Sequence, residues 1–145
     1  MTVNSKLRRL RRRAADESGF TLIELLVVAV IVGVLAAIAI PSFLSQTGKA
    51  QDAQAKFDAR TAATAMETYY LDMNTYDASI SDLQGIEKAL TNSTISSAKG
   101  DDEGFTVKAT SKSGNVFTFK RKDGGEVDRK CDRAGDGGCP KAGTW

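Results

Sequence analysis

Hydrophobic and polar positions divide the chain into three patterns. Residues 19–41 read GFTLIELLVVAVIVGVLAAIAIP, and residues 25–48 carry no charge. That run matches the roughly 20 apolar residues needed to cross a hydrocarbon core about 30 Å thick. Beyond Pro41 and Ser42 the pattern becomes amphipathic. Ala55, Ala59, Ala62, Ala63, Met66, Tyr69, Tyr70 and Met73 recur at three- and four-residue steps, while Lys49, Asp52, Lys56, Asp58 and Arg60 fall mostly elsewhere. The two halves predict one long helix from Phe20 to Met73, about 80 Å at 1.5 Å per residue. From Phe105 the period is two. Phe105, Val107 and Ala109 alternate with Thr106, Lys108 and Thr110, then Phe117 and Phe119 with Thr118 and Lys120. Turns at Ser113-Gly114-Asn115 and Asp123-Gly124-Gly125 predict a three-stranded antiparallel meander whose last strand is about residues 126–131. Its apolar face needs a cover, which the Ala/Tyr/Met stripe supplies. The expected fold class is α+β.

Residues 75–104, rich in Ser, Thr, Asp, Asn and Gly, read as a connection with one or two helical turns. Ile80, Leu83, Ile86 and Leu90 are spaced to be buried there, and Ser79 with Asp82 forms a weak capping-box pattern. Asp101-Asp102-Glu103 lacks the alternating ligand spacing of a calcium loop and reads as a solvated turn. No metal site is expected.

Charge changes this picture at the N-terminal end. Glu24 stands near one end of the apolar run, where an ionised carboxylate costs up to a few kcal/mol unless paired. Residues 6–13 hold six basic side chains and no acidic ones, which places that arm in the cytoplasm and the rest of the chain outside. Histidine is absent, removing the commonest general base and transition-metal ligand. No nucleophile with a plausible base and no phosphate-binding glycine loop stands out, so no enzyme and no cofactor are expected. Cys131 and Cys139, an even pair in an oxidising compartment, read as one disulfide; two free thiols or half of a metal site are the alternatives. Trp145 reads as an anchor docking on its own domain.

Gly19-Phe20-Thr21-Leu22-Ile23-Glu24 resembles the processing site of class III signal peptides, the signature of type IV pilins and pseudopilins. The resemblance is strong over about residues 14–75 and weak beyond. It implies cleavage by a prepilin peptidase after Gly19, N-methylation of Phe20, and filament assembly through Phe20, Thr21 and Glu24. The Glu24 carboxylate would engage the Phe20 amine of its own or a neighbouring subunit. Gly33 and Pro41 stand where the family's glycine and proline bracket a segment that unwinds on assembly; a bent helix without switching is the alternative. On this reading the chain divides into a cleaved leader (1–19), a membrane or filament-core helix (20–44), the amphipathic half of the same helix (45–74), the connection (75–104), the meander (105–131) and a disulfide-closed tail (131–145). The leader holds 6 of 20 basic and 2 of 18 acidic residues, leaving 14 and 16 in the processed chain, a balance of −2. The +2 of the full sequence is therefore no sign of nucleic-acid binding.

The resemblance implies a structural subunit, a major pilin of an extracellular type IV pilus. A pseudopilin of a type II secretion or DNA-uptake system is the alternative. Expected partners are copies of the chain, the peptidase, the assembly platform with its ATPase, and the cytoplasmic membrane before export to the cell surface. A secreted domain released at the Ala37-Ile38-Ala39 site is disfavoured, because a signal h-region is usually 7 to 15 residues and seldom contains Glu. Lys120-Arg121-Lys122 is a basic cluster open to three readings: a solvated strand end, contacts with a neighbour's acids, or DNA capture.

Overall fold

The computed structural model describes residues 19–145. The basic arm and the leader up to residue 18 lie outside the described residues. Helix α1 is Leu22–Met73, with Pro41 inside it. The chain separates into two compact units, the first ending at Pro41 and the second spanning Ser42–Trp145.

In the first unit every large apolar residue is solvent-exposed, from Phe20 at 86% to Val27 at 49%. Leu, Ile and Val all round a helix leave no polar face to turn outward, the pattern of a segment that is enclosed by lipid or by other helices.

The second unit begins with the amphipathic part of α1, whose buried residues all lie between Asp52 and Met66. Asn74 takes a positive φ of 57° just past the helix end, a common way for a helix to stop. A short helix α2, Ile80–Ile86, follows, opened by a capping box between Ser79 and Asp82. A 3-10 turn at Lys88–Asn92 completes the connection. Leu83 and Leu90 are buried there as their spacing predicts, whereas Ile86 is exposed.

The sheet has four strands, not three: β1 Ile95–Gly100, β2 Phe105–Thr110, β3 Val116–Arg121 and β4 Val127–Cys131, antiparallel in that order. The unforeseen strand, β1, has the sequence ISSAKG and a register shift between Ile95 and Ser97. Two adjacent serines and a bulge erase the period-two signal, so pairing with β2 rather than local propensity makes it a strand. Gly100 closes β1 against residue 76: a Cβ there would collide with the Tyr76 carbonyl oxygen.

Two buried clusters join helix to sheet. Ala62, Ala63, Met66, Tyr76, Leu83 and Val107 belong to one. Ala55, Ala59, Ala109, Phe117 and Cys139 form the other. The small alanines let the helix approach the sheet closely, and Phe105 and Phe117 fill the space between. The predicted stripe differs from the buried face in two ways. Met73 is 61% exposed, and Asp52 and Asp58 lie on the buried side. Periodicity misplaced both aspartates because each is buried with hydrogen-bond donors supplied from distant sequence.

Candidate functional site

The start of α1 is built by its own side chains. Residues 19–21 precede the helix, and Leu22 is its first residue. The Thr21 N–H and hydroxyl both donate to Glu24 Oε2, at 2.8 and 2.9 Å, and the Glu24 N–H donates to Thr21 Oγ1 at 3.2 Å. This reciprocal pattern is a capping box, in which two helix-end donors find acceptors. Glu24 in the first turn also faces the positive end of the helix dipole. The Thr-x-x-Glu spacing before an apolar run was a readable signal for this box. The family resemblance, by contrast, points to Glu24 only as a partner for the Phe20 amine.

Gly19 and Phe20 lie in non-helical backbone immediately before the cap, and a Cβ placed on Gly19 meets no atom within 4 Å. Nothing in the described residues therefore demands glycine at position 19 for folding. Gly33 is similarly open. Pro41 sits within the helical span rather than at its end. The apolar run contains a stretch long and apolar enough to cross a membrane, none of it buried. The structure thus gathers Gly19, Phe20, Thr21 and Glu24 in one place, and spaces Gly33 and Pro41 farther along the same helix.

The disulfide site lies in the second unit. Cys131 and Cys139 are joined, closing a loop of sequence separation 8. Asp52 on α1 reaches this loop. Its carboxylate accepts from Ser113 Oγ, from Asn115 Nδ2 at 2.7 Å and from the Gly138 N–H at 2.7 Å. Gly137 and Gly138 permit the approach; a Cβ on either would stand 2.5 or 2.7 Å from Asp52 atoms. Burial pushes the Asp52 carboxyl up, but donors from Ser113, Ser111, Gly138 and Asn115 outweigh it and hold it below the ordinary value. Lys56 adds a bond to the Gly138 carbonyl at 2.5 Å. Trp145 packs edge-on to Phe117 at 5.9 Å and donates its Nε1–H to the Lys130 carbonyl. The tail is thereby tied to helix and sheet.

Arg121 belongs to a second tie. It bonds Glu67 at 2.9 Å and the Tyr76 hydroxyl, linking β3 to α1. Burial, with the neighbouring Glu67 carboxylate, raises the Tyr76 hydroxyl above its usual value. Lys122 pairs with Glu126 and Asp128, which raises its own value and lowers that of Asp128. The basic cluster of the sequence is thus largely engaged within the fold. Among the described residues no three His, Cys, Asp or Glu side chains converge to hold a metal. None of these groups forms a nucleophile and base pair. They are structural ties between helix, sheet and tail.

The prokaryotic N-terminal methylation motif matches residues 15–40. The type II secretion system core protein G of Pseudomonas aeruginosa is 40% identical over 73 residues, 50% of this chain and 51% of that protein. The protein of the same name from Vibrio cholerae is 31% identical over 110 residues, 74% of this chain and 73% of its own length. The type IV major pilin protein PilE1 of Neisseria gonorrhoeae is 32% identical over 109 residues, 75% of this chain but 46% of that one. This chain thus spans about half of the Pseudomonas relative and less of the gonococcal one. With the motif at the apolar start and similarity continuing into the sheet domain, the chain belongs to the family of type IV pilins and type II secretion pseudopilins.

Proposed function

We propose that the chain is cut between Gly19 and Phe20 by a prepilin peptidase, methylated on the new Phe20 amine, and polymerised through residues 20–44. It serves as the major subunit of an extracellular type IV pilus. The observation that carries this is the capped, uniformly exposed apolar start of α1 with Glu24 inside it. A segment that fits lipid equally fits the centre of a bundle of copies, so the membrane acts as a subunit reservoir. A head-to-tail contact that does not close then generates an open helical filament. An assembly platform and its ATPase supply the work of extraction, and Gly33 and Pro41 mark where the helix loosens as it leaves the bilayer.

Glu24 gives the featureless helix a register. The Thr21 N–H and hydroxyl both fall on Oε2, which leaves Oε1 for a cation. The methylated amine of Phe20 from a neighbouring copy supplies one, so capping and pairing between copies do not compete. Cleavage leaves the Thr21 N–H intact, and the box survives processing.

A second reading, a pseudopilin of a type II secretion system, is favoured by the identity to core protein G across three quarters of the chain. Electron microscopy of sheared surface material, with intact-mass analysis of its main small protein, tests both. Surface filaments of a chain starting at N-methyl-Phe20 support the pilus. Processed chain that stays in the membrane without surface filaments supports the secretion reading and refutes the pilus. Chain starting at Ile40, or never cut, refutes both.

A further inference from the structure

Two tripeptides of the chain are identical, Asp123-Gly124-Gly125 and Asp136-Gly137-Gly138, and no other Asp or Asn is followed by glycine. In an Asp-Gly pair the glycine main-chain nitrogen can attack the aspartate side-chain carboxyl, because no Cβ on the second residue blocks the approach. By sequence the two sites are equally placed to react. The structure separates them.

Residues 123–125 form an exposed 3-10 turn between β3 and β4. The Gly124 N–H donates to Asp123 Oδ1 at 2.7 Å, so the attacking nitrogen is held against the carboxyl group, in the manner of a near-attack arrangement. A Cβ on Gly124 meets no atom within 4 Å, which leaves the peptide room to turn. The main-chain bonds of the turn run from the Lys122 N–H to the Glu126 carbonyl and from the Gly125 N–H to the Lys122 carbonyl. Neither uses the Gly124 N–H. Asp136 is held differently. Its carbonyl accepts from the Cys139 N–H at 2.9 Å and from Asn115 Nδ2 at 3.2 Å. Gly137 lies against Asp52, where a Cβ would stand 2.5 Å from Oδ2, and the Gly138 N–H is bound to the same carboxylate. Ring closure rotates the peptide between aspartate and glycine, and at Asp136 that rotation breaks the tie between the disulfide loop and α1.

We propose that Asp123 is a site of spontaneous main-chain isomerisation, and that the fold spares Asp136. The Gly124 nitrogen bonds to Asp123 Cγ, and the carboxyl hydroxyl leaves with the nitrogen's proton as water, giving a five-membered cyclic imide. Water then adds at one of the two imide carbonyls. Opening at Cγ restores aspartate. Opening at the Asp123 main-chain carbonyl breaks its bond to nitrogen, frees an α-carboxylate and leaves the chain running through the side chain. The net change is an isomerisation, so no oxidant or reductant takes part. The isoaspartate lengthens the main chain by one methylene and presents a new carboxylate to solvent, the group that isoaspartyl carboxyl methyltransferases esterify. The extra length falls at the Arg121–Val127 end of the β3–β4 pairing, while Cys131, opposite Phe117 at the other end, stays anchored by its disulfide.

The test ages the full chain for several weeks at neutral pH in heavy-oxygen water, folded in neutral detergent or reduced and unfolded in guanidinium chloride. After reduction, trypsin puts the two aspartates in separate peptides, 123–129 and 134–141. Each ring opening adds one heavy oxygen. Isoaspartate is counted by labelled methyl transfer from S-adenosylmethionine with a purified isoaspartyl methyltransferase. In the unfolded chain both peptides gain label alike. In the folded chain the 123–129 peptide gains several-fold more than its partner. Asp123→Glu, whose ring needs a sixth member, loses the 123–129 signal and leaves 134–141 as it was. Asp52→Ala, shown to be folded by Trp145 fluorescence, raises the 134–141 signal toward the unfolded level. Equal labelling of the two peptides in the folded chain, or labelling in the unfolded chain alone, overturns the proposal. An unlabelled 134–141 peptide in folded Asp52→Ala overturns the assignment of protection to the Asp52 tie.

Discussion

Replacing Asp52 with alanine removes the acceptor that joins α1 to the disulfide loop. The carboxylate takes three bonds, from Ser113, Asn115 and the Gly138 N–H. Hydrogen bonds to a charged group contribute about 1.5 to 3 kcal/mol each, so a naive sum is roughly 6 kcal/mol. The structure argues for less. With Asp52 gone, the single Ser113 hydroxyl proton can turn to Ser111 Oγ, 3.1 Å away, and Asn115 Nδ2 still donates to the Asp136 carbonyl, so both keep an acceptor. Only the Gly138 N–H is orphaned, and lifting the burial cost of the carboxylate offsets part of the loss. The expected destabilisation is about 3 kcal/mol, and about 2 kcal/mol for Asp52→Asn, which keeps the shape but sets an amide donor against donors. The assay is urea unfolding of the full chain in detergent, followed by Trp145, the only tryptophan, which packs on Phe117 beside the site. Because the folded Asp52 value is depressed, its stabilisation is present above the unfolded carboxyl value of about 3.9. It is lost as pH falls from there through the folded value. Asp52→Asn therefore flattens that part of the acid limb. A loss under 0.5 kcal/mol in Asp52→Ala, or an acid limb unaltered in Asp52→Asn, refutes the reasoning.

Four further outcomes follow from the same contacts. A Cβ at position 19 meets no atom within 4 Å, so in Gly19→Val the sheet domain folds normally while intact mass shows the leader retained; normal cleavage would remove the peptidase reading. Glu24→Gln keeps an oxygen for the Thr21 donors but loses the charge, whereas Thr21→Val loses the cap, worth about 1 kcal/mol. Removing one partner of a buried ion pair costs about 3 to 5 kcal/mol, so filament yield should collapse in Glu24→Gln and fall modestly in Thr21→Val; the reverse order would make capping the essential role. Opening the disulfide with Cys131→Ser and Cys139→Ser costs about 2.5 kcal/mol by loop-closure entropy for a separation of 8, read by the same urea titration, and an unchanged midpoint would show the loop held by Asp52 alone.

The sequence made the N-terminal half legible because its constraints are local. A run of uncharged residues, one carboxylate and a basic arm before it each state a solvent or a partner without help from the rest of the chain. The meander was legible from Phe105 onward for the same reason, since alternation and glycine turns are short-range. What stayed hidden was long-range. Strand β1 forms because β2 offers it an edge, and Asp52 and Asp58 are buried because donors 36 to 86 residues away meet them. Ser113, Gly138 and Asp52 share no pattern in sequence. The visible basic cluster Lys120-Arg121-Lys122 proved mostly occupied, with Arg121 on Glu67 and Lys122 on Asp128.

This division has a mechanistic consequence. The buried residues of α1 begin at Asp52, so the apolar side chains of residues 20–44 contribute none of the clusters that hold the sheet domain together. Their exposure leaves apolar surface well beyond the few hundred Å² that a monomeric soluble protein tolerates, and lipid or other copies must cover it. Folding of the sheet domain and burial of the apolar run are then separate events with separate residues. On the proposed function, a subunit folds its sheet domain while anchored and exchanges lipid for neighbours later, without undoing its core. Substitutions such as Val28→Ala or Ile31→Ala, half-exposed positions on that run, should change assembly and leave the urea midpoint of the sheet domain where it was. A shifted midpoint would show that the two events are coupled, and that the membrane is more than a reservoir.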